Sequence, residues 1–464
     1  MKFKSAICMT AITALAALAI PLRFAARGQE NSAPPRYRVI NLGTLEGGSA
    51  SGADSLDDLG VASGFSTLAS DNNSTDHAAL WFDGLKLDLG TLGGPNSGVF
   101  WPVKNNIGLI SGVSETADLN SLNEDWSCSA FFPSITHHNC VGFVWLFGQM
   151  FPLPTLGGFN GFATGSNNRG QIVGWAENST HDPTCKRRNQ VLQFEAVIWG
   201  PRLGEIHALP PFPNDLDGAA TAINEHGQVV GISGICDQAV GASSAIHALL
   251  WQDGQPTDLG NLGGHGWNTP MAINNQSVIV GFANLPDDIV NGELTVNFIG
   301  FVWTKEHGMQ KIPLLDGDSI AEATGINDGG QIVGVSFGNP DFPLGRAFLF
   351  ENGKLTDLNQ LIPSDGPLSL TGNTDLDIND RGEIAGQACV LSNGACTAEL
   401  PAFKLVPMRD DDHRDSVVSE FSATRGNPQK LMRHEDIRSA VQLRRGFARF
   451  VPFPADRPTL RDQQ

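Results

Sequence analysis

The chain has a single tyrosine, seven methionines and seven cysteines in 464 residues, and only 17% of its side chains are charged. So little charge disfavours a coiled coil, whose flanking positions need ion pairs. Basic residues are scarcer still: 30 stand against 49 acidic ones, a net of −19, and so acidic a chain is poorly suited to wrapping nucleic-acid phosphates. No two cysteines stand at CxxC spacing, which weakens zinc and thioredoxin-like readings. GxSxG, HExxH, P-loop and dinucleotide fingerprints are missing from the contexts they require. The N-terminal apolar run, Ala6 to Ile20, is shorter than the roughly 20 residues that span a bilayer.

Glycine, by contrast, is abundant. Its 53 residues exceed the usual share of about 7% and follow no collagen triplet, which points to many tight turns between short strands. Hydrophobic residues at 41% suffice for a core. At about 150 residues per domain the length would suggest three domains if nothing repeated.

Lys2 and Lys4 precede the apolar run, and Pro21, Arg23 and Arg27 follow it, which is the order of a secretory signal peptide over residues 1–27. Ala17-Leu18-Ala19 offers the small residues of a cleavage site, whose position stays open. Cys8 lies within this run with no lipobox before it. Six cysteines then remain, at 128, 140, 185, 236, 389 and 396, an even number suited to an oxidising compartment and a secreted or extracellular protein, the periplasm or cell surface included. Residues 408–464, which include Arg409-Asp410-Asp411-Asp412, read as a solvated or weakly helical Arg-rich tail. The acidity therefore belongs to residues 36–407.

That body is repetitive. The word Ala222-Ile223-Asn224-Glu225-His226-Gly227-Gln228-Val229-Val230-Gly231 recurs in altered form, closing at Gly64, Gly112, Gly174, Gly231, Gly281, Gly334 and Gly386. An aromatic-rich word follows each copy, ending at Trp81, Trp145, Trp199, Trp251, Trp303, Phe350 and Leu405. A third word is clearest as Asp88-Leu89-Gly90-Thr91-Leu92-Gly93-Gly94 and Asp258-Leu259-Gly260-Asn261-Leu262-Gly263-Gly264. These words resemble the HAF family of extracellular repeat proteins, whose His-Ala-Phe triplet is matched by His247-Ala248-Leu249 and, more loosely, by Arg346-Ala347-Phe348. The resemblance implies an exported repeat protein with no agreed activity, and it brings no catalytic residues. Asn274-Asn275-Gln276-Ser277 departs from the Asn-x-x-Gly pattern, which is expected to loosen that turn.

Each unit parses into four strands, A to D. The Asn-x-x-Gly turn joins A to B because Asn and Gly tolerate positive φ, and a short turn joins C to D. Four short antiparallel strands in about 50 residues, seven times over, predict an all-β, seven-bladed β-propeller over residues 36–407. Tyr37 to Leu45 reads as a lone fourth strand and Pro401 to Val406 as a third, so the N-terminal strand is expected to close the last blade. An open β-solenoid is the alternative.

Length variation is confined to the B–C loops, which emerge on one face. Trp81, Trp145, Trp199, Trp251 and Trp303 occupy the repeated C-strand position and are expected between blades. Trp101, Trp126, Trp175 and Trp267 lie outside it, and all four map towards the B–C face. With Asp118, Asp125 and Glu177 they make the candidate ligand-binding set, stacking on sugar rings and bonding hydroxyls. Disulfides Cys128–Cys140, Cys185–Cys236 and Cys389–Cys396 would pin the loops. His77 and His247 belong to the repeated word and read as structural. His137 and His138 lack two further metal ligands. Asp215-Leu216-Asp217-Gly218 and Asp316-Gly317-Asp318 open like calcium loops without the closing acid, so no cofactor is assigned and a loop calcium ion stays open. The resulting expectation is a monomeric, secreted, non-enzymatic scaffold with no transmembrane segment in the mature chain. Its B–C face would grip an extracellular glycan or protein. The alternatives are a carboxylate-based glycoside hydrolase or lyase on the same face, and a structural surface or matrix protein.

Overall fold

The computed structural model describes residues 37–408, apart from 46, 125–127, 129–130, 133–135, 186–189, 237–244, 291–292, 295–296 and 340. The expected signal peptide and Arg-rich tail lie outside the described residues, as do Trp126 and Asp125. Among the described residues no helix is long and apolar enough to cross a membrane.

Seven antiparallel sheets make a seven-bladed propeller. Blade 1 is Ser51–Leu56, Ala62–Thr67, Asp76–Phe82 and Leu85–Asp88, hydrogen-bonded in that order. Blade 4 repeats it as Asp217–Ile223, Val229–Gly234, Ala245–Gln252 and Gln255–Asp258. The inner two strands are buried along their whole length, while the outermost strand is largely exposed. Blade 7 takes its outer strand from the chain start: Tyr37–Gly43 pairs antiparallel with Ala402–Pro407, Tyr37 opposite Pro407. The seam with blade 1 is bonded too, with Leu56 N–H donating to Asp377 and the Gln387 amide to Ser51 O.

The repeated words have local causes. In blade 4 the Asn224 side chain accepts from the N–H groups of His226 and Gln228, closing the A–B turn, and Gly227 sits at φ +78°. Its amide also donates to Asn274 O in the next blade at 3.1 Å. Blade 5 does not loosen as its sequence suggests. Ser277 adopts φ +62° in place of glycine and donates its hydroxyl to Gln228 at 2.7 Å across the blade boundary. The closing glycine of each word is a matter of space: a Cβ at Gly231 would stand 2.0 Å from Ala219 O, where strand A bulges against strand B. Trp81, Trp199, Trp251 and Trp303 are buried and Trp145 is partly so. Trp199 and Trp251 donate their indole N–H to Pro154 O and Pro210 O in the linkers that lead into their blades. A basic residue near the start of strand C holds an acid: His247 meets Asp215 at 2.7 Å, and Arg346 meets Asp318 at 2.7 Å.

Candidate functional site

The A–B turns surround the axis on one face. There the second residue of each turn donates its backbone N–H to the side-chain oxygen of the equivalent residue in the next blade. The series runs Asp58, Asn106, Asn168, Glu225, Asn275, Asp328, Asp380 and back to Asp58, with distances of 2.6 to 2.9 Å. It bounds a cavity of about 220 Å³ with Lys104 in its wall, paired with Asp377. Burial, with Asp328 and Asp58 nearby, raises the Asp380 carboxyl above the ordinary range. Because the ring's oxygens already hold neighbouring blades together, this face reads first as a clasp.

The B–C face is built differently. Trp101, Trp175 and Trp267, expected as a platform for sugars, are 1%, 0% and 3% exposed. They belong to one cluster with Phe131, Phe132, Phe162, Phe282 and Phe298. Trp175 stacks on Phe162 at 4.5 Å and meets Trp101 edge-on at 6.1 Å. Phe162 and Trp175 are cross-strand partners on one sheet face, so this apolar mass is a plug packed between blades. The cluster also contains Cys128 and Cys140. Asp118 is exposed on a strand end, away from these rings.

Carboxylates lie under the loops around the plug. Glu115 and Glu177 occupy the same repeat position, three residues after Gly112 and Gly174, and both are fully buried. Glu177 accepts from Phe159 N–H at 3.0 Å, Asn160 N–H at 2.8 Å and the Asn160 amide at 2.9 Å. Burial dominates these bonds and, with the charge of Glu124 adding to it, pushes the carboxyl up to about 8. Glu124, 3% exposed, crosses from blade 2 to accept the N–H groups of Val191 and Leu192 at 2.7 and 2.9 Å. Glu115 accepts from Asn96 and Thr136, and its carboxyl too is raised by burial.

A second couple is Asp182 with Asp217. Asp217 Oδ1 accepts from Phe194 N–H at 2.6 Å, as Asn160 does from Cys140 and Asn96 from Asp76. A neutral amide serves this clasp elsewhere, and here a carboxyl does. Burial first, and Asp182 beside it, push Asp217 up to about 8. Disulfides Cys128–Cys140, Cys185–Cys236 and Cys389–Cys396 have Cα separations of 5.5, 4.7 and 5.4 Å. Two of them lie against acids: Glu115 with Cys128 and Cys140, and Asp182 with Cys185 and Cys236, each bring their polar side-chain atoms within 4.8 Å. The sulfurs are bonded to each other, so neither group offers thiolates to a metal.

No protein-family model and no curated protein matches the chain. The resemblance to HAF repeats thus has no matching family model behind it, and the seven-bladed fold is what stands. Among solved structures the chain is similar to virginiamycin B lyase from Staphylococcus aureus, with a TM-score of 0.43 and 10% identity over 80% of this chain and 100% of that one. It is also similar to puromycin hydrolase, at 0.40 and 11% over 77% of this chain and 51% of that one. A third is the ulvan lyase of polysaccharide lyase family PL25, at 0.39 and 10% over 80% and 99%. At such identities no site residue of these proteins is matched to one here.

The scaffold expectation is corrected by the site itself, and with it the expectation of a non-enzyme. An open aromatic grip needs rings facing water, whereas Trp101 and Trp175 meet each other and Trp267 packs against Phe282 and Phe298. What the face does hold is buried acid couples, the chemistry of the enzyme alternative. Sequence reasoning singled out Glu177 and missed Glu115, Glu124, Asp182 and Asp217 as a set. The repeat alignment carries part of the signal, since Glu115 and Glu177 share a register and Asp217 stands where Asn96 and Asn160 do.

Proposed function

We propose that the chain is a secreted carboxylate-based enzyme, a glycoside hydrolase or lyase, working from the B–C face. The observation that carries this reading is the Glu124–Glu177 couple, two buried carboxyls from different blades, in which burial and the charge of Glu124 push Glu177 up to about 8. Glu177 is the proton donor to the leaving glycosidic oxygen. Glu124 is the base, which activates water in a hydrolase or removes the sugar-ring proton in a lyase. Both groups are covered, so this reading requires the turn from Asn120 to Glu124 to lift from Val191 and Leu192 for substrate to enter. Export of a HAF-like repeat protein agrees with three disulfides among the described residues.

The test is a panel of neutral and uronate-containing polysaccharides, followed by reducing-end release and by the ultraviolet absorbance of unsaturated products. Glu177→Gln is expected to lower turnover by about 10²–10⁴-fold with the fold intact. No turnover by the unaltered protein, or full turnover by the variant, overturns the reading.

A further inference from the structure

Beside the Cys185–Cys236 disulfide Asp182 meets Asp217, and Asp217 in turn is bonded by Gln190. Asp182 and Asp217 are 7% and 0% exposed, and Gln190 is 1% exposed. With both carboxyls ionised, Oδ2 of each aspartate and Oε1 of Gln190 have no hydrogen-bond donor, while a proton on either acid would bond it to the other. Their other polar atoms are engaged: Asp182 Oδ1 accepts from Thr184 N–H at 2.6 Å, and Gln190 Nε2 donates to Leu192 O at 2.6 Å and to Asp217 Oδ1 at 3.2 Å. The side chains are thus fixed, with acceptors left over. Buried acceptors without donors are costly, and two neighbouring carboxylates compound the cost unless positive charge lies between them.

We propose that Asp182, Asp217 and Gln190 form a binding site for a hard divalent cation of the calcium class. The donor set is all oxygen, which suits calcium and not a thiophilic metal, and the two carboxylates balance its charge. Asp182 and Gln190 come from the B–C connection of blade 3 and Asp217 from the inner strand of blade 4. The ion therefore ties the same two blades as the disulfide, in a dry place where a protein ligand set is already ordered. This site differs from a contiguous loop at Asp215 to Gly218, because Asp215 is taken up by His247 and Ser233. It is also independent of the acid chemistry proposed for Glu124 and Glu177.

The test uses the full chain after chelator treatment, titrated with calcium chloride and followed by thermal unfolding and calorimetry. The unaltered protein is expected to show saturable, one-site stabilisation. Asp217→Asn should fold, since Asn160 and Asn96 make the same backbone clasp, and should lose the calcium response. Asp182→Asn, whose amide oxygen can still accept from Thr184, should lose it too. No response of the unaltered protein to calcium, magnesium or manganese overturns the proposal. An undiminished response in both variants overturns it by putting the ion elsewhere. Cation-independent stabilisation by Asp217→Asn overturns it as well, in favour of a proton shared by the two carboxyls.

Discussion

The backbone N–H of Asp380 in the last blade donates to Oδ1 of Asp58 in the first at 2.8 Å, joining residues 322 positions apart in sequence. Oδ2 of Asp58 also accepts from the Asn106 amide at 2.8 Å, so one carboxylate serves both neighbouring blades. Asp58→Ala removes one link of the ring and the Asn106 amide bond at a half-buried position and is expected to cost about 1–2 kcal/mol, while Asp58→Asn costs less. Urea unfolding of the two variants checks the order. Equal stability for both would show that the ring contributes nothing.

Protonation of Glu177 links stability to pH. Its carboxyl rises from 4.5 to about 8 on folding, so the native state holds a proton that the unfolded chain releases between those values. Its contribution is fully present below about 4.5 and is lost as pH rises through 8. The melting temperature is therefore expected to fall across this window, and Glu177→Gln should flatten the slope. A slope unchanged by the substitution would remove Glu177 as its source.

Trp175 tests the plug. Stacked on Phe162 with no exposed surface, it should cost about 3–5 kcal/mol on truncation to alanine, as buried aromatics do. Asp118→Ala, on an exposed strand end, should leave stability within about 0.5 kcal/mol. Chemical denaturation of the pair separates a packed ring from a surface one.

The Cys185–Cys236 bridge closes a stretch with a sequence separation of 51 between neighbouring blades. Replacing both cysteines with serine is expected to lose on the order of 4 kcal/mol in the chain-entropy account of cross-links. A reduced-versus-oxidised comparison of the unaltered protein should give a loss at least as large, because reduction opens the other two bridges as well.

Much of this was legible because propeller blades are local: the turn at Asn224 to Gly227 and the strand ending at Trp251 are complete within about thirty residues, so periodicity exposes them. Repetition could show that Trp101, Trp175 and Trp267 lie towards the B–C face, but whether they point to water or to the axis depends on how seven sheets converge. Glu124 was illegible for a related reason. It sits in a loop with no counterpart in other blades, and its partners Val191 and Leu192 are 67 and 68 residues away. Asp217 lies between these cases, since alignment of the repeat shows an acid where amides stand, while its meeting with Asp182 needs the fold.

The pairing of Tyr37–Gly43 with Ala402–Pro407 means that the first strand of the propeller waits for its last. Until Phe403 and Leu405 emerge, blade 7 is incomplete and the inner strand of blade 1 faces a missing neighbour. A ring assembled in this way cannot close before its last strand is present. The late strand thus sets the final step of closure, which joins the two ends of the propeller at once.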